Sequence, residues 1–169
     1  EEEIKKEKLL INSLFPTLLL KYNNIKELTN VEVFEGWEGM KTVFLDMARE
    51  IPEQGENYIF GASMGKQPKK ADMFFEQHRK RMEKKHYHLK IIFNEEMRNY
   101  LPRIKPYLEN PMHKVKFLHH ETFIEFNFYK DTVLFTILQE MPLIIRLRNN
   151  EIVDAFKKFF NTMWEQAKE

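Results

Sequence analysis

The chain has 169 residues, 43% of them hydrophobic, with 27 Lys and Arg set against 26 Asp and Glu for a formal net charge of +1. That composition fills the core of one compact domain with an attached helix and excludes a disordered chain, while the near-neutral charge supplies no global field for nucleic acid or an anionic membrane. The absence of cysteine excludes disulfides, thiolate metal sites and a cysteine nucleophile and fits a reducing cytoplasm, and no apolar run reaches the ~20 residues that span a bilayer.

The chain opens on Glu1-Glu2-Glu3-Ile4-Lys5-Lys6, a charged start with no apolar signal segment and no initiating methionine, and so reads as a piece of something longer. Residues 1–22 carry a helical pattern, with Ile4, Ile11 and Leu18 spaced by sevens and Leu14 and Phe15 near the same face. Pro16 predicts a kink or a fresh helix start there. Such a helix either packs on its own domain or pairs with a second copy.

A strand over 31–35 ends at Gly36, and Gly39 follows three residues later as an amphipathic helix (38–50) begins, with Val43, Phe44, Met47 and Ala48 facing inward. Pro52 and Gly55 break it. A second strand (57–61) stops at the small-residue cluster Gly61-Ala62-Ser63, followed by a loop to Pro68. A helix over 70–86 places Phe74, Phe75, His78 and Met82 on one side. The apolar run 87–93 reads as a central strand, and Asn94 as the cap of a short helix. Strands are expected at 114–118, at 122–128 and 132–138 around Tyr129-Lys130-Asp131, and at 142–148. Ile124, Phe126 and Phe128 share one face, and Val133, Phe135 and Ile137 another. A last helix from about Asn150 carries Ile152, Val153, Phe156, Phe159, Phe160, Met163 and Trp164 on one broad stripe. This order predicts an α/β fold, a mixed, partly parallel sheet flanked by helices on both faces.

No complete catalytic set is present. His88-Leu89-Lys90 with Glu95 has the His-x-Lys-x4-acid spacing of phospholipase D-type enzymes, in which the histidine attacks phosphorus and the lysine holds phosphate oxygens, but that chemistry needs two such units around one phosphate and only one copy exists. His86 and His88 would point to one side of a strand, as metal ligands do, yet no carboxylate stands at a matching spacing; with His113, His119 and His120 they read as surface or strand-end residues, and no metal is assigned. The local basic run Lys66, Lys69, Lys70, Arg79, Lys80, Arg81, Lys84, Lys85 and Lys90 suits either a phosphate-bearing ligand or a solvated helix face, and the solvated face is favoured. Gly61-Ala62-Ser63-Met64-Gly65 is the better binding loop. It belongs at the carboxyl end of a strand, where open α/β sheets place ligands. It matches no phosphate-binding fingerprint, and a tight turn needing small residues explains it equally well.

The series Leu18-Leu19-Leu20-Lys21-Tyr22, Val33-Phe34-Glu35-Gly36-Trp37-Glu38-Gly39-Met40-Lys41, Tyr58-Ile59-Phe60-Gly61-Ala62, Leu89-Lys90-Ile91-Ile92-Phe93-Asn94-Glu95 and Phe159-Phe160-Asn161-Thr162-Met163-Trp164 resembles the region after the DNA-binding domain in TrmB-like archaeal transcription regulators. The resemblance implies a linker helix that dimerises (1–28) and a phospholipase D-like effector domain (29–169) without catalysis. The family's winged helix does not precede Glu1, so DNA contact would run only through a domain this sequence lacks. Nor does the extra β-rich domain of sugar-sensing members follow Trp164. The expectation is a cytoplasmic, homodimeric, non-enzymatic regulatory domain with no cofactor and no membrane partner, sensing a small molecule near Gly36, Gly39, Gly61 and Ser63. The alternatives are a phosphodiesterase or nuclease using His88 and Lys90, and a ligand-free partner-binding domain.

Overall fold

The computed structural model describes residues 30–119 and 124–169. The helix expected over 1–22, the linker boundary at 28, His120 and the opening residues of the hairpin lie outside them.

The described elements run β1 (Asn30–Glu35), α1 (Gly36–Glu50), β2 (Glu56–Ala62), α2 (Pro68–Glu83), β3 (His88–Asn94), a 3-10 turn (Glu95–Met97), α3 (Leu101–Leu108), β4 (His113–Leu118), β5 (Ile124–Tyr129), β6 (Thr132–Ile137), β7 (Leu143–Arg148) and α4 (Asn150–Gln166). The strands form one seven-stranded sheet in the order β1-β7-β6-β5-β2-β3-β4. β2, β3 and β4 run parallel, while β1, β7, β6 and β5 alternate in direction. The sheet is therefore mixed, as chain order requires. β1 lies at the far edge, antiparallel to β7, rather than beside β2.

Each face is apolar because helices cover both. On one, Met40, Val43, Phe44 and Met47 of α1, Ala71, Phe75 and Met82 of α2 and Ile104 and Tyr107 of α3 pack on Leu89, Ile91, Phe93, Phe117 and Leu134 of the sheet. On the other, Ile152, Val153 and Phe160 of α4 pack on Tyr58, Phe60, Ile92, Phe128, Val133 and Leu147. The two hairpin sets expected on different faces share this one, because Phe126 stands opposite Phe135 and Phe128 opposite Val133. Cross-strand partners in an antiparallel pair point the same way.

Local chemistry explains the ends. Asn149 caps α4, its side chain accepting from the Ile152 N–H at 3.1 Å. Asn94 holds the cap position of the 3-10 turn without a side-chain cap bond. α2 starts two residues earlier than its apolar pattern suggests, since Pro68 needs no donor in a first turn. It stops at Glu83, and His86 turns to φ 49° before β3.

Ion pairs fasten α1 to β7 and β1. Arg146 bonds Glu32 at 2.7 Å and Asp46 at 3.0 Å, and its guanidinium lies 4.9 Å from the Phe34 ring centroid. Arg148 bonds Glu50 through both terminal nitrogens, at 2.7 and 3.1 Å.

Candidate functional site

The strand directions put the carboxyl ends of β1, β2, β3, β4 and β6 along one edge of the sheet, and the glycine-bearing turns gather there. Gly36 leaves β1 at φ 73° and donates its N–H to Pro142 O at 2.7 Å, a conformation that favours glycine. Gly39 lies in the first turns of α1, where an added Cβ would stand 3.1 Å from Phe34 Cβ, so its hydrogen lets the helix close down on β1. Gly61 sits at φ 78° where the register between β2 and β3 shifts, a bulge ahead of half-buried Ser63.

The pairs Gly36/Gly39 and Gly61/Ser63 are four strand positions apart, about 19 Å at ~4.8 Å per strand. What joins them is the β6–β7 connection. Leu138 O accepts from Lys66 N at 2.8 Å, Glu140 O from Trp37 Nε1 at 3.2 Å, and Pro142 O from Gly36 N. Lys70 stands 4.9 Å over the Trp37 ring, and Phe74 lies 6.1 Å from the same ring. The candidate residues thus line one loop-built rim, with residues 138–142 between its two halves.

The His88–Lys90–Glu95 unit does not converge. His88 begins β3 and Glu95 follows its end, seven residues and roughly 23 Å away at ~3.3 Å per residue. Glu95 is bonded to Arg98, which holds its carboxyl below the usual range. Lys90 lies 5.9 Å from the Tyr58 and Trp164 rings. His86 falls in the turn before β3, so His86 and His88 do not share a strand face as expected. Among the described residues no three His, Cys, Asp or Glu side chains form a group suited to a metal. The basic run is spread out: Arg79 pairs with Glu83, Lys80 with Glu76, and Lys85 donates to the carbonyls of Ile51 and Arg49.

Polar residues lie inside the molecule: Glu125 and Asn127, which the sequence pattern did not single out, His78, and His113, which stands at the start of β4 as expected but is buried there. Glu125 and Asn127 alternate with Phe126 and Phe128, a pattern that in a one-sided sheet marks a wet face. Here α1, α2 and α3 cover that face, and Glu125 is 4% and Asn127 1% exposed. Burial pushes the Glu125 carboxyl up to about 7 and the His78 imidazole down to about 3. His113, between the Tyr87 and Tyr107 rings, is pushed by burial down to about 4.

No protein-family model and no curated protein sequence matches the chain. Solved structures do. TrmBL2, an archaeal chromatin protein whose structure shows a novel mode of DNA binding, superposes with a TM-score of 0.60 at 17% identity, covering 99% of this chain and 65% of that one. NucT from Helicobacter pylori gives a TM-score of 0.64 at 13% identity over 83% of this chain and 99% of its own. A phosphatidylserine synthase from Haemophilus influenzae Rd KW20 gives 0.58 at 10% identity, with coverages of 85% and 40%. The fold is therefore the phospholipase D-like one, shared with a TrmB-like structure, and this chain spans 65% of TrmBL2's length. No helix of the described residues is long and apolar enough to cross a membrane.

Proposed function

We propose that this chain is the non-catalytic regulatory domain of a TrmB-like transcription regulator. Its supporting observation is a fold likeness to TrmBL2 that runs over 99% of the chain, in a molecule where His88 and Lys90 share β3 but Glu95 lies beyond the far end of that strand. In this reading DNA contact would be made by a winged-helix domain, as the family resemblance implies. Residues 1–28 would pair two copies, and a small molecule at the rim of Gly36, Gly39, Gly61 and Ser63 would favour one arrangement of that pair over another. Only such a difference in affinity turns binding into regulation.

The rim fits this role. The 138–142 connection touches both glycine turns, so a ligand that shifted it would act on the end of β1 at Gly36. A thermal-shift screen with sugars, nucleotides and phosphorylated metabolites tests the reading, because a ligand that binds the folded chain alone at 100 times its Kd stabilises by about 2.7 kcal/mol. We expect one class to raise Tm, and Gly61→Val to abolish the rise. Removal of residues 1–22 should convert dimer to monomer by light scattering. An unchanged mass, or no Tm response to any class, contradicts the regulatory reading.

The likeness to a phosphatidylserine synthase and to NucT favours one alternative, a phosphodiesterase in which a second chain supplies the missing half of the site.

A further inference from the structure

Between the sheet and helices α1–α3 lies a cavity of about 20 Å³ lined by side chains from β2, β3, β5 and all three helices. Five of those side chains are polar and at least nine-tenths buried: Asn57, His78, Arg103, Glu125 and Asn127. Each carries a buried atom with no protein partner, namely Asn57 Oδ1, His78 Nδ1, Arg103 Nη2, Glu125 Oε1 and Asn127 Oδ1. Native interiors leave few such atoms unpaired, and five around one hollow is a strong concentration. The set is also chemically matched, because Arg103 brings a charged donor while Glu125 and the two amides bring acceptors.

Volume and chemistry select the occupant. A hollow needs roughly 10–15 Å³ of space open to a water centre to hold one water, and a buried water takes two to four polar partners. The present cavity meets both conditions and is too small for a metabolite. We propose that it is a permanent internal water site, in which bound water bridges Arg103 Nη2 on α3 to Glu125 Oε1 at the centre of the sheet, with Asn57 and Asn127 as its further partners.

The charge arrangement gives that site a second property. Arg103 already donates Nε to Asp72 Oδ1 at 2.6 Å, and Tyr100 OH donates to Asp72 Oδ2 at 2.5 Å. Two carboxylates therefore share one guanidinium, and Glu125 reaches it only through the water. The other groups around the cavity are His78 of α2, Tyr107 of α3 and Tyr87 ahead of β3. α1 presents Phe44 there and Met47 beside Asn127, while the remaining strand residues are Ile59, Ala62, Ile91 and Phe93. None of these brings a second cation to Glu125, so Glu125 keeps its proton in the folded chain up to about 7, against an ordinary 4.5. Its contribution to stability is complete below 4.5 and is lost as pH rises through about 7.

A high-resolution crystal structure of the chain tests the site directly. At least one ordered water within hydrogen-bond distance of both Arg103 Nη2 and Glu125 Oε1 is expected; a dry cavity, or a direct Arg103–Glu125 pair, overturns the proposal. Carbon-13 NMR of carboxyl-labelled glutamate supplies a second readout on the unaltered protein. One resonance should titrate near neutral pH and vanish in Glu125→Gln. Relative to the parent, that variant should gain Tm as pH rises from 4.5 to about 7. If all glutamate carboxyls titrate in the ordinary acidic range, the proposal fails even where the variant does not fold. Neither readout involves the rim, so the regulatory reading stands or falls separately.

Discussion

Phe160→Ala should cost about 3–5 kcal/mol, the usual range for deleting a fully buried phenyl ring. Phe160 is 0% exposed and stands at the crossing of α4 over the sheet. Its ring meets Tyr58 at 5.4 Å and Phe128 at 5.7 Å edge-on and stacks on Trp164 at 5.6 Å. Among the described residues α4 is the helix on that face, and no second described helix stands beside it to settle into the hole. A typical domain is stable by only about 5–15 kcal/mol, so the loss is a large share of the total. Urea unfolding followed by circular dichroism measures it, and a loss below about 1 kcal/mol would mean that α4 is not seated as described.

Arg146→Ala acts on the opposite face and should cost about 2–4 kcal/mol. The Arg146 side chain is 7% exposed and holds Glu32 of β1 and Asp46 of α1 together. Breaking a buried pair from one side typically costs about 3–5 kcal/mol because the remaining charge loses its partner. Here the two carboxylates are 34% and 30% exposed, so water offsets part of the loss. The effect has a pH signature. The hydrogen bond from Arg146 holds the Glu32 carboxyl below its ordinary value, so the stability it brings is present above the unfolded carboxylate's pKa. That stability is lost as acid protonates Glu32 in the folded chain, and the gap between parent and variant should narrow in acid. A gap that widens in acid would contradict the assignment.

Local chemistry made most elements legible. The stripe Val43, Phe44, Met47 announced α1 and the stripe Ile152 to Trp164 announced α4, because 3.6-residue periodicity survives whatever the helix packs on. α3 has no counterpart among the expected elements, which place a short helix at Asn94 instead; Pro102 and Pro106 mask its pattern. The structure shows why both prolines are tolerated. Pro102 lies in the first turn, which needs no N–H, and Pro106 forfeits one bond in a helix of eight residues. The edge position of β1 could not be read locally, because the Val33–Ile145 pairing joins residues more than a hundred positions apart.

The candidate site divides the same way. Gly36 and Gly61 stood out because a strand ending in glycine is a local signal, and both adopt positive φ. The 138–142 connection that joins them carries no such mark. Glu125 and Asn127 were hidden by their own alternation, which reads as a wet face until α1, α2 and α3 are known to cover it. His78 was placed correctly on the apolar side of its helix, and a buried histidine there was the one available hint that polar groups met inside.

The proposed regulatory role requires that this phospholipase D-like fold perform no hydrolysis, and metal-independent cleavage of a chromogenic phosphodiester by the purified chain tests this most directly. The parent should release product no faster than His88→Ala. Turnover by the parent that disappears in His88→Ala and Lys90→Ala would contradict it and make the chain an enzyme.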